Sequence, residues 1–151
     1  IVALDPGALV TVGFFEPQSP NPSRAGDVRV TRPYPAIAQS TIDFVDLHPY
    51  AGVQLTIDQY AENFGEDAFP SKPVIMGEFG APTVAFGTAS SAAQALVAWQ
   101  TGSCPHHFAG WVMWTWNTEE QPGGTFWAMT SADSVIEKSL SPVHRPDPCS
   151  G

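Results

Sequence analysis

The chain has 151 residues, 43% of them hydrophobic and five of them Trp, which is enough for one modest domain with a core of its own and is not the composition of a disordered segment. Six Lys plus Arg stand against fifteen Asp plus Glu, a formal charge of −9. That balance argues against a nucleic acid or an anionic membrane surface as partner and suits a neutral ligand, and no apolar stretch approaches the roughly 20 residues of a membrane span.

Ile1-Val2-Ala3-Leu4-Asp5-Pro6 lacks the basic start and the long apolar core of a signal peptide, and there is no initiator Met. The expectation is a processed product or a piece of something longer. Asp5-Pro6-Gly7 predicts a turn, and Leu9-Val10-Thr11-Val12-Gly13-Phe14-Phe15 a buried strand. Residues 16–36, with many Pro, Ser, Asn and Arg, read as a long irregular loop. Phe44-Val45-Asp46-Leu47-His48 is a second strand ending at Pro49-Tyr50. Thr56 to Phe64 predicts a helix, with Thr56 as cap and Ile57, Tyr60, Ala61 and Phe64 at helical spacing.

Val74 to Met76 is a third strand, bounded by Pro73 and Gly77, and Glu78 follows it at once. A carboxylate just past a buried strand is costly to bury unpaired. It is either put to use or is an ordinary loop acid facing water. Ser90 to Gln100 predicts a helix with an Ala-rich body and Gly102 as its stop. Gly110-Trp111-Val112-Met113-Trp114-Thr115-Trp116 is a fourth strand, Asn117 to Gly124 a polar loop, Ala132 to Leu140 a last short helix, and Pro142 to Pro148 an extended tail.

The two cysteines, Cys104 and Cys149, in an acidic, Pro-rich, Lys-poor chain are read as one disulfide of an exported protein, with two separate thiols as the alternative. Cys104-Pro105-His106-His107 lacks further ligand spacing, so no metal is expected and the two histidines are expected to face solvent. Strands that are apolar along their length and alternate with helices define an α/β fold with a parallel sheet. Four such strands are too few to close an eight-stranded barrel.

In parallel α/β folds, ligands bind beyond the carboxyl ends of the strands. Those ends carry Glu16, then His48 and Tyr50, then Glu78, then Trp114. Singly each has an ordinary reading: a satisfied structural His, a Tyr on the rim, a Trp in the core. Together they suit sugar chemistry. Indole faces stack on pyranose rings, and a strand-end carboxylate can attack an anomeric carbon. Retaining glycosidases pair such a nucleophile with a second carboxyl group about 5–5.5 Å away. Asp46, two residues before His48, points the same way, either to orient that His or to fill a polar layer.

The segments Phe44 to Tyr50, Pro73 to Gly80 and Gly110 to Trp116 resemble strands six, seven and eight of glycoside hydrolase family 5, the cellulase-like family of clan A, and Asp5-Pro6 through Phe15 resembles the lead-in and strand five. The resemblance implies the carboxyl-terminal half of a TIM (β/α)8 barrel over residues 1–151, with a Pro-rich tail at 141–151. It implies a retaining β-glycosidase acting on a β-linked glucan, mannan or related glycoside, secreted and without a cofactor. Glu78 would be the nucleophile, His48 and Tyr50 would line the subsite of the attacked sugar with Tyr50 touching the nucleophile, and Trp114 would be the stacking platform, its peptide to Thr115 cis. Trp127, in the loop after strand eight, is expected to shape the outer cleft.

The family carries its acid/base Glu after an Asn at the end of strand four, and this chain has no Asn-Glu pair. The acid/base is therefore expected outside the chain, and the missing amino-terminal half of the barrel, on the same or a separate polypeptide, is the expected partner besides carbohydrate. Glu16 before Pro17 loosely echoes the family's Glu-Pro step, but its lead-in fits strand five better. Two other readings stay open: a non-catalytic sugar-binding remnant, and a different α/β-barrel enzyme using Glu78 as a base or metal ligand.

Overall fold

A computed structural model describes residues 3–14, 39–53, 55–64, 72–131 and 134–150. Phe15, Glu16, the predicted loop at 16–36 and the start of the predicted last helix lie outside the described residues. Four parallel strands form one sheet in chain order: β1 (Gly13–Phe14), β2 (Val45–Leu47), β3 (Val74–Phe79) and β4 (Gly110–Met113). The helices among the described residues are α1 (Ile57–Phe64), α2 (Ala89–Gly102) and α3 (Val135–Leu140), with 3-10 turns at Cys104–His106 and Pro122–Gly124. The α/β class and the parallel sheet follow the expectation from the sequence.

Register places Val45, Leu47, Val74 and Met76 in the buried core beneath the helices. Alternation sends Asp46, His48, Ile75 and Gly77 to the other face. That face is the more open one: Val112 there is 57% exposed and Leu9 is 74% exposed. Leu9, Phe44 and Ile75 line an open apolar groove at its lower end.

The helices are fixed by caps that the residue types supply. Thr56 and Gln59 exchange reciprocal bonds at the start of α1, with Gln59 N–H donating to Thr56 Oγ1 and Thr56 N–H to Gln59 Oε1. α2 starts at Ala89 rather than Ser90, because Thr88 caps it and Ser91 closes the box from within. The helix runs past the predicted Gln100 and ends at Gly102. Ser103 N–H bonds back to Trp99, and the chain runs on into the 3-10 turn that Pro105 favours. Ala92, Ala93 and Leu96 of α2 pack on the core, as do Ile136 and Leu140 of α3.

The tail is not extended as expected. It folds into a turn closed by His144 and Arg145 N–H groups on the Ser141 carbonyl, and a second in which Asp147 accepts from Cys149 and Ser150. Arg145 donates to Thr101 of α2, and Cys149 is bonded to Cys104 across a sequence separation of 45. The disulfide reading of the two cysteines therefore holds.

Candidate active site

Alternation alone would send Glu78 to the helix side of the sheet, in line with Met76. A register shift prevents this. Met76 pairs with Trp111, but Phe79 pairs with Met113, so β3 holds one residue more than β4 between those pairs. The extra residue is a β-bulge, the device by which a strand re-aims a side chain. It returns Phe79 to the core, 2% exposed, and leaves Gly77 and Glu78 between two helix-facing residues. β3 therefore runs three residues past its predicted end at Met76.

The bulge brings Glu78 to the side chains of β2 and its following turn. Tyr50 O–H donates to Glu78 Oε1. His48 Nδ1 lies 3.0 Å from Glu78 Oε2, and Asp46 Oδ1 lies 3.6 Å from His48 Nε2. The His48 and Glu78 side chains are 17% and 18% exposed, open enough for a ligand yet largely shielded from water. Asp46 thus sits on the far side of the His48 ring from Glu78.

Three glycines make room for this row. A Cβ on Gly13 would stand 2.6 Å from the His48 ring, and one on Gly77 1.9 Å from Asp46 Oδ1. One on Gly80 would stand 2.8 Å from the Trp114 carbonyl and 3.1 Å from the Tyr50 ring. Each site side chain on β2 therefore lies directly over backbone of a neighbouring strand or its extension. The chain beyond β3 is held to the same place by the Tyr50–Gly80 bridge and by Ala51 N–H on the Gly80 carbonyl.

At the end of β4, Trp114 is 43% exposed and Trp116 is 62% exposed. The peptide between Trp114 and Thr115 is cis, as the resemblance implied. The Trp114 backbone N–H donates to the Phe79 carbonyl, which ties the chain leaving β4 to the residue after Glu78.

Trp127 departs from its expected place in the outer cleft. It is 6% exposed, belongs to the core, and donates its indole N–H to the Phe86 carbonyl at 2.8 Å. Its neighbour Phe126, which the sequence reading passed over, packs its ring on Tyr50 with centroids 5.0 Å apart. His106 is likewise not solvent-facing: its side chain is 16% exposed and its Nε2 lies 2.9 Å from Asp58 Oδ1 of α1. Among the described residues, no three of His, Cys, Asp and Glu are grouped to hold a metal ion. Glu16 lies outside the described residues.

No protein-family model matches the chain, and no curated protein is significantly similar to it. Three solved structures are similar in fold. The endo-1,4-β-mannanase of Rhizomucor miehei aligns with a TM-score of 0.64 at 20% identity, over 95% of this chain and 41% of that one. An endo-β-1,4-mannanase from Thermotoga petrophila gives 0.57 at 17% identity, over 91% and 35%. The hyperthermostable endo-1,4-β-D-mannanase of Thermotoga petrophila RKU-1, with maltose and glycerol, gives 0.54 at 19% identity, over 91% and 46%. The chain thus has an α/β fold shared with part of these enzymes, consistent with a partial barrel, and spans less than half the length of each.

Proposed function

We propose that this chain is the carboxyl-terminal half of the catalytic barrel of a secreted retaining β-glycosidase, acting on a β-1,4-linked polysaccharide of which mannan is the first candidate. The observation that carries this reading is the Glu78 carboxylate in the bulged carboxyl-terminal end of a parallel strand, with the Tyr50 hydroxyl on one oxygen and His48 Nδ1 3.0 Å from the other. A carboxylate held by the Tyr50 hydroxyl in a largely shielded site is oriented for attack without needing to shed a full water shell. The exposed face of Trp114 supports a sugar ring beside it. The fold shared with three mannanases supports the polysaccharide class. The disulfide supports an exported protein.

In this reading the Glu78 carboxylate attacks the anomeric carbon. The glycosidic C–O bond breaks with its electron pair on the leaving oxygen, which takes a proton from an acid/base carboxyl contributed by the other half of the barrel. Water then attacks the glycosyl ester and gives its proton to that same group, and Glu78 leaves as the carboxylate. Tyr50 holds the nucleophile, His48 lies against it with Asp46 behind, and Trp114 carries the sugar.

A 2-deoxy-2-fluoro-β-mannoside with a dinitrophenolate leaving group tests this on the chain itself, because so good a leaving group needs no acid. The expected result is one glycosyl adduct, mapped by mass spectrometry to Glu78 and absent from Glu78→Gln. A folded chain that acquires no adduct from this or the corresponding glucoside would overturn the nucleophile assignment.

A further inference from the structure

We propose that Phe126 and Trp127 are positioning residues for the Tyr50–Glu78 pair, acting from the loop after β4. The inference rests on the reading of Glu78 as nucleophile and extends it to residues outside the strand ends. Tyr50 is 8% exposed and its hydroxyl donates to Glu78. A phenol holds a carboxylate in one place only if its own ring is held. One restraint is the backbone of Gly80, against which a Cβ would come within 3.1 Å of Tyr50 Cδ1 and Cε1. The other is the ring of Phe126, tilted by 41° at 5.0 Å, a contact worth more than its buried area alone.

Phe126 would hold nothing if its loop were loose. Residues 125–127 instead pair antiparallel with residues 81–83, just beyond the bulge. Pro82 bridges Phe126, Thr83 N–H donates to the Thr125 carbonyl at 3.0 Å, and Trp127 N–H donates to the Ala81 carbonyl at 3.0 Å. Thr83 Oγ1 also donates to the Gly124 carbonyl. Trp127 then pins this strap from below, its indole N–H on the Phe86 carbonyl and its ring in the core. A continuous physical path runs from Trp127 through Phe126 and Tyr50 to the Glu78 carboxylate.

The test uses the whole chain with tyrosine labelled at Cζ with carbon-13, and Phe126→Ala, Phe126→Leu, Tyr50→Phe and Glu78→Gln variants. In the parent the Tyr50 Cζ resonance is expected to respond to loss of the Glu78 carboxylate, the response being its displacement between each variant with Glu78 and the same variant with Glu78→Gln. Phe126→Ala is expected to reduce the response at least about twofold and to slow fluoroglycoside labelling about tenfold, while Phe126→Leu, which keeps the bulk, restores part of both. In a Tyr50→Phe background, Phe126→Ala is expected to slow labelling by less than about twofold, because coupled positions are not additive. An unchanged Tyr50 response in Phe126→Ala, or an equal slowing with and without the Tyr50 hydroxyl, would overturn the proposal. Absence of an adduct on the parent chain with the Tyr50 response intact would instead count against the nucleophile reading alone.

Discussion

The carboxylate of Asp46 fills the space that a side chain on Gly77 would need. A Cβ there would stand 1.9 Å from Asp46 Oδ1 and 2.6 Å from its carboxyl carbon, well inside contact distance. Asp46 in turn backs His48, and His48 approaches Glu78. The glycine before Glu78 is therefore part of what leaves room for the row of side chains beside its carboxylate.

Gly77→Ala should displace Asp46 and cost about 1–3 kcal/mol, the range for forcing atoms into a packed site. Gly87→Ala is the control, since a Cβ there meets nothing within 4 Å and its backbone is not in the left-handed region; its cost should stay below about 0.5 kcal/mol. Urea unfolding followed by Trp fluorescence checks both, and equal midpoints for the two variants would remove the steric account.

Trp114 and Trp127 should separate in opposite ways. Trp114→Ala removes a half-exposed indole, so stability should change by less than about 0.5 kcal/mol while affinity for a β-1,4-linked manno-oligosaccharide falls about tenfold. Trp127→Ala empties a core position and should cost about 3–5 kcal/mol. Calorimetric titration and unfolding on the same samples decide it; a Trp114 variant that unfolds as readily as the Trp127 variant would make Trp114 structural.

Reducing the Cys104–Cys149 bond, or replacing Cys149 with Ser, should destabilise by about 4 kcal/mol in the chain-entropy account of a loop of this separation. For a chain of this size that is a fall in Tm of about 10 °C. Scanning calorimetry with and without reductant checks it, and a shift under a few degrees would mean that the tail contributes little to the folded state.

The tail also carries a pH signature. Cys149 N–H, and then the Ser150 hydroxyl and N–H, hold the Asp147 carboxyl below the ordinary aspartate range. A depressed folded value means that the turn's contribution is present above the unfolded aspartate value and is lost as pH falls through the folded one. In a carboxyl NMR titration Asp147 should protonate below the ordinary aspartate range, and Asp147→Asn should abolish the accompanying shift of the Cys149 and Ser150 amides. A midpoint at the ordinary value would contradict the bonded turn.

Much of this was readable from residue types. The strand cores and the Thr56 cap follow from periodicity and residue type, and the placing of His48, Tyr50, Glu78 and Trp114 at one end of the sheet from where parallel sheets bind ligands. The bulge at Gly77–Glu78 was not, because it is a mismatch in count between β3 and β4, and neither strand shows it alone. Trp127 was misplaced for a similar reason. A Trp in a Gly- and Thr-rich loop reads as surface, and only the pairing of 125–127 with 81–83 carries it inward. The Thr88 cap was missed because Ser90 is an equally good cap by type, and the capping box with Ser91 decides between them.

That pairing of 81–83 with 125–127 makes the two segments a single exchangeable part. A graft that replaces the stretch after β4 while leaving the stretch after β3 would strip Phe126 from Tyr50 and leave the Phe86 carbonyl without its indole. Replacing this loop therefore calls for moving both segments from the same donor, with Tyr50 as the seam to be matched.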